Sequence, residues 1–110
     1  MTADWLHPLA ETAARLPAQP DRQWIEAMRN GTMRAGLYAP RGADDQTPHD
    51  QDEVYVVVAG SGTFVRAGER QAFGSGDFLF VPAGMEHRFD AFSDDFAAWA
   101  VFWGAKGGDG

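Results

Sequence analysis

The chain has 110 residues, 45% hydrophobic, 13% aromatic and 23% charged, which is the composition of one globular domain rather than a disordered or fibrous segment. It contains no cysteine, and this excludes disulfides, thiolate metal sites, iron–sulfur clusters and a cysteine nucleophile. Nine basic against 16 acidic residues give a net charge of -7, so the chain would be repelled by a nucleic-acid backbone or an anionic membrane surface.

At the N-terminus, Asp4 and Pro8 interrupt any signal-like apolar run. No segment approaches the roughly 18 apolar residues of a membrane span. The expectation is a soluble cytoplasmic protein. Over residues 3–16, Leu6, Leu9, Ala10, Ala13 and Leu16 repeat at helical spacing. Thr2 or Asp4 would cap this helix, Pro8 fits its first turn, and Pro17 and Pro20 end it. Residues 1–20 thus read as a short N-terminal helical segment that lays one apolar stripe on the main body.

From residue 21 to 104 the signals are those of strands. Residues 24–28 and 32–39 flank Arg29-Asn30-Gly31, a hairpin signal because Asn and Gly tolerate positive φ. Residues 42–48 are polar and loop-like. Residues 53–59 form the strongest strand, and the run Val54-Tyr55-Val56-Val57-Val58 predicts burial on both faces. Gly60-Ser61-Gly62 and Gly68-Glu69-Arg70 read as turns around a strand at 63–67. Short strands follow at 71–73, 78–81, 87–92 and 96–103, and residues 105–110 read as a flexible tail. Many short strands without intervening helices predict an all-β sandwich or barrel.

The histidines are His7, His49 and His87. On an extended chain Thr47, His49, Gln51 and Glu53 project to one face. His87 follows a Pro-x-Gly turn that aims it. Two imidazoles and a carboxylate converging on one point form a facial set suited to a divalent metal. Spacing alone leaves a second reading open, in which the histidines are unrelated polar residues and Glu53 is an edge residue.

The glycines and proline around these residues carry a resemblance. The first pattern runs from Gly42 through Thr47, His49 and Glu53 to Gly60, with six residues between the last two. The second runs Gly76, five residues, Pro82-Ala83-Gly84, two residues, His87. Together they are similar to the paired motifs of the cupin superfamily, across roughly residues 36–103. Two positions depart from the family pattern: Thr47 stands where the first motif has its first histidine, and Ala91 where the second closes on Asn.

The resemblance implies a double-stranded β-helix, or jelly-roll barrel, holding a divalent ion of iron, manganese, nickel or zinc. Carried over residue by residue, the ligands are His49, Glu53 and His87. Gln51 or Thr47 would add a ligand or hydrogen-bond a bound water. By strand parity Tyr55, Phe78, Phe80 and Phe89 would wall a pocket for a small organic molecule, with core packing as the alternative place for such aromatics. Asp44, Asp45, Asp50 and Asp52 read as a solvated rim, and Arg34, Arg66 and Arg88 as surface cations that would otherwise clamp an anion. The implied function is a metal-dependent enzyme with dioxygenase-like, isomerase or Lewis-acid chemistry. The alternatives are a non-catalytic ligand-binding barrel and a dimerisation unit. A homodimer is expected, with Trp5, Trp24 and Trp103 as candidate interface residues.

Overall fold

Period-two alternation of apolar side chains dominates the chain beyond residue 23, and it dictates sheets that bury one face. The computed structural model describes residues 3–16, 23–44 and 47–109. The expectations placed on Thr2, Pro17, Pro20 and Asp45 lie outside the described residues. The elements are α1 (Leu9–Ala14), β1 (Trp24–Asn30), β2 (Met33–Tyr38), β3 (Asp52–Ala59), β4 (Ser61–Arg66), β5 (Glu69–Gly74), β6 (Phe78–Val81), β7 (His87–Asp90) and β8 (Ala97–Trp103). They form a five-stranded sheet in the order β1-β2-β8-β3-β6 and a three-stranded sheet in the order β5-β4-β7. All pairings are antiparallel. This is the all-β jelly roll with a short N-terminal helix that the motifs implied. No helix among the described residues is long and apolar enough to cross a membrane.

The core lies between the sheets. Tyr55 and Val57 from β3 meet Phe64 of β4, Phe73 of β5, Phe89 of β7 and Phe96 just before β8. Phe89 is the hub, with ring centroids 4.9 Å from Tyr55, 4.9 Å from Phe64 and 4.6 Å from Phe96. Edge-to-face and tilted aromatic packing of this kind adds about 0.5–1.5 kcal/mol per pair beyond burial.

Several local expectations are corrected. The helix is only six residues long and buries Thr12 rather than an apolar stripe. Leu6 and Leu9 remain 50% and 40% exposed. Fewer than two turns cannot present a continuous stripe. The first hairpin turns at Gly31-Thr32, since Asn30 pairs with Met33. Gly31 alone takes positive φ there, the pattern of a II′ turn rather than I′. The second turns at Ala67-Gly68, both at positive φ, so Glu69 and Arg70 belong to β5. On β3 Glu53, Tyr55 and Val57 are buried and Val54, Val56 and Val58 only half-buried, so one face, not both, is fully covered.

Between β3 and β4 there is no three-residue turn but a single residue, Gly60 at φ +85°. A Cβ at this position would stand 2.6 Å from Ser93 Oγ and 2.7 Å from the Phe96 Cα. The motif glycine is therefore required twice, by its backbone angle and by the chain that crosses it.

The C-terminal segment is held rather than hanging free. The Gly107 N–H donates to the Asp50 carbonyl at 2.7 Å, and the Asp109 N–H to Asp52 Oδ2 at 3.1 Å. Within the segment read as a tail, a loop carbonyl and a buried carboxylate thus give the Gly107 and Asp109 amides partners.

Candidate metal centre

Strand parity places Glu53, Tyr55 and Val57 on the inner face of β3. Glu53 is the second residue of that strand, beyond the end of the aromatic core. His49 reaches the same point from the preceding loop, which the second motif holds in place: the Gly84 N–H donates to the His49 carbonyl at 2.7 Å. Asp52 clamps the two motif segments from behind, its Oδ1 accepting the Ala83 N–H at 2.9 Å. His87 opens β7 and is 3% exposed. Its Nδ1 lies 3.0 Å from the Met85 carbonyl, which assigns the proton to Nδ1 and leaves the Nε2 lone pair facing the site.

Glu53 Oε1 lies 3.5 Å from His87 Nε2 and 3.8 Å from His49 Nε2. One donor atom from each of the three residues falls within 4.8 Å of the others. Glu53 is 1% exposed, and its Oε1 is buried with no hydrogen-bond partner. An unpartnered buried carboxylate oxygen is expensive unless something positive meets it. Two imidazole nitrogens face the same point, and a divalent ion bound by nitrogen and oxygen donors satisfies all three. The residues present therefore fit a metal.

Electrostatics separates the two imidazoles. Burial pushes the His49 pKa down, helped by the charges of His87 and Arg34 and only partly opposed by Glu53. Burial also acts against the His87 proton, but the attraction of the nearby Glu53 carboxylate and the Met85 carbonyl outweighs it and leaves the pKa raised.

The donor set opens onto a cavity of about 220 Å³ lined by Trp24, Arg34, Tyr38, His49, Glu53, Tyr55, Ala100 and Phe102. Tyr55 is fully inside, with its hydroxyl 3.2 Å from His87 Nε2. Tyr38 donates its hydroxyl proton to Asp44 Oδ1, while Asp44 Oδ2 accepts the Phe89 N–H at 2.8 Å. Asp44 and the 7%-exposed Asp52 are thus internal braces, not the solvated rim expected of them. Asp50 is exposed.

The other expected site residues fall elsewhere. Residues 47–51 are not extended strand, so alternation does not carry Thr47 or Gln51 to the metal side. Thr47 is exposed. Gln51 spends its amide on the Thr32 and Gly104 carbonyls at 3.0 and 2.9 Å and accepts Arg34 Nη2 at 3.1 Å. Phe78 and Phe80 point outward, 64% and 43% exposed, because β6 turns Leu79 and Val81 inward. Phe89 belongs to the aromatic core rather than to the cavity wall.

Trp24, a candidate interface residue in the sequence, is a wall of the cavity, edge-on to Phe102 at 5.9 Å. Arg34, assigned to the surface by sequence, also lines it. Both follow from the inward parity of β1 and β2, an alternation legible as Arg34-x-Gly36-x-Tyr38. A Cβ on Gly36 would stand 2.6 Å from the Trp24 ring, so this glycine makes room for the wall.

Comparison with known proteins agrees with this architecture. An uncharacterized protein of Streptomyces coelicolor is 37% identical over 87 residues, covering 77% of this chain and 83% of that protein. The MmsAB operon regulatory protein of Pseudomonas aeruginosa is 32% identical across 98% of this chain, which spans 38% of that relative's length. Among solved structures, a Cupin 2 conserved barrel domain protein from Salinispora arenicola superposes with a TM-score of 0.70 at 24% identity, covering 91% of this chain and 88% of that one. Residues 36–103 match the cupin domain family itself, and the chain belongs to it.

Proposed function

We propose that this cupin barrel binds one divalent transition-metal ion through His49, Glu53 and His87 and acts as a metal-dependent enzyme on a small organic substrate. The observation that carries the reading is the buried, unpartnered Glu53 Oε1 between two imidazole nitrogens at the floor of an open cavity. When bound, an ion held by three protein donors would supply Lewis acidity or oxygen chemistry at its remaining positions. The chain's own residues would do the rest. Trp24 and Phe102 would exclude water from the apolar side of a substrate. Met85, through its carbonyl, fixes the His87 tautomer. The Tyr55 hydroxyl stands where it can give or hold a proton beside the reacting atoms.

The test is reconstitution. Chelator-stripped protein is titrated calorimetrically with Fe(II), Mn(II), Ni(II) and Zn(II), beside Glu53→Gln. One ion per chain, with affinity lowered more than about tenfold in the variant, supports the reading. Binding that ignores Glu53→Gln contradicts it.

A second reading, ligand binding without turnover, is favoured by the likeness to a regulatory protein over almost the whole chain. Product analysis separates the two: a ligand recovered unchanged from the metal-loaded protein belongs to the second.

A further inference from the structure

Arg34 is a half-buried cation lining the cavity beside the donor set, in a chain whose net charge is -7. Its side chain is held from two sides. The guanidinium carbon lies 4.7 Å from the centroid of the Phe102 ring. Nη2 donates to Gln51 Oε1 at 3.1 Å, and Gln51 is pinned in turn by the Thr32 and Gly104 carbonyls. No carboxylate among the described residues lies within ion-pair distance of it. A guanidinium carries five N–H donors, so this one is oriented while most of its donors stay unused.

Its register relates it to the donor set. Arg34 is paired with Phe102 across β2 and β8, and Phe102 with Glu53 across β8 and β3. The guanidinium and the Glu53 carboxylate therefore rise from one row of the sheet, two strand spacings or about 9–10 Å apart at the backbone. The Phe102 ring lies between them and Trp24 stands edge-on to it. The cavity of about 220 Å³ is below the roughly 300–1,000 Å³ of drug-sized pockets, so its occupant is small.

We propose that this cavity selects small organic carboxylates with a flat apolar body. The carboxylate would sit on Arg34, the body against Phe102 and Trp24, and the far end toward His49, Glu53 and His87. Gln51 is a positioning residue that fixes the guanidinium plane. The proposal rests on the reading that this cavity is the ligand site, but it does not need a bound metal.

The test uses two matched pairs as probes, benzoate with benzamide and phenylacetate with phenylacetamide. Binding is followed through the Trp24 indole N–H by 15N-edited NMR, once with chelator and once with added Zn(II). In chelator the wild type should bind each acid at least about tenfold tighter than its amide. Arg34→Gln should abolish that preference while leaving amide affinity within about twofold, which also shows the variant is folded. Arg34→Lys should retain part of the preference, because it keeps the charge and loses the fork.

Three results overturn the proposal: no saturable binding by any probe, equal binding of acid and amide, or a preference that survives Arg34→Gln. A preference that appears only with Zn(II) and survives Arg34→Gln assigns the carboxylate to the metal instead. Failure of metal binding with an intact preference in chelator removes the metal reading and leaves this one standing.

Discussion

The two ends of the barrel are built on the same strands with the same inward parity, yet they carry opposite chemistry. On β3 the inner residues run Glu53, Tyr55, Val57; on β7 they run His87, Phe89; on β8 they run Ala98, Ala100, Phe102. Two residues along a strand, about 6.6–6.8 Å, separate the donor set from the aromatic core. At the core end the Phe89 and Phe96 side chains are 1% and 0% exposed and pack within the aromatic cluster. At the open end equally buried groups, Glu53 and His87, are polar, and Glu53 Oε1 has no hydrogen-bond partner. Tyr55 sits on the seam, its ring against Phe89 and Phe64 and its hydroxyl against His87. The core end stabilises the fold, and the open end sacrifices stability for a site that only a ligand or ion completes.

Truncation at the core end should have the largest effect. Phe96 packs on Phe73, Phe89 and Phe92 at 4.6–5.6 Å, and Phe96→Ala should cost about 3–5 kcal/mol in urea unfolding. A loss below about 1 kcal/mol would erase the distinction between the two ends.

Acid should act at the open end alone. A metal needs both imidazoles neutral. Below the raised His87 value, affinity should fall about tenfold per pH unit, and about a hundredfold per unit once His49 also holds a proton. The metal-free protein should respond far less, because the two shifts oppose one another. The raised His87 pKa contributes stability that is present below its unfolded value and is lost as pH rises through the folded one. The lowered His49 pKa contributes stability that is present above its unfolded value and is lost as pH falls. Calorimetric titrations and urea unfolding between pH 5 and about 8 compare the two responses.

Glu53→Gln sharpens the contrast further. It removes a buried charge whose Oε1 no hydrogen bond satisfies, so at pH 8 the metal-free variant should be about 1–2 kcal/mol more stable than wild type while binding metal poorly. Destabilisation by this substitution would mean that Glu53 supports the fold rather than a ligand.

How much of this was legible in the sequence follows the same division. His49, Glu53, His87 and Gly60 were readable because they fall on the spacing of the paired family motifs, whereas the spacing of the histidines alone left a second reading open. The sequence alternation along β6 was equally readable, but which face turns inward is decided by pairing with β3, where Glu53 meets Val81 and Val56 meets Phe78. Phe78 and Phe80 were therefore put in the pocket when they lie outside it. Arg34 and Trp24 were missed for the converse reason. They reach the cavity only because β1 and β2 extend the β8-β3 sheet, a contact between distant segments. Asp44 and Asp52 looked like rim charges, since nothing local shows that backbone N–H groups await them.

The smallest predicted effect lies in the β4–β5 turn, whose Ala67 N–H donates to the Glu86 carbonyl at 2.9 Å, one residue before His87. Ala67 holds positive φ of 49° ahead of Gly68. Ala67→Gly or Ala67→Asn should stabilise by about 0.5–1 kcal/mol in thermal unfolding without changing metal affinity. A change in affinity would couple this turn to the site through β4 and β7.

The most direct test of the metal centre is elemental mass spectrometry on protein purified without a metal-affinity column, beside a His49→Ala, His87→Ala double variant. The site described here predicts close to one iron, manganese, nickel or zinc ion per chain in the wild type and none in the variant. A wild type that carries no metal and takes none up on reconstitution would contradict it.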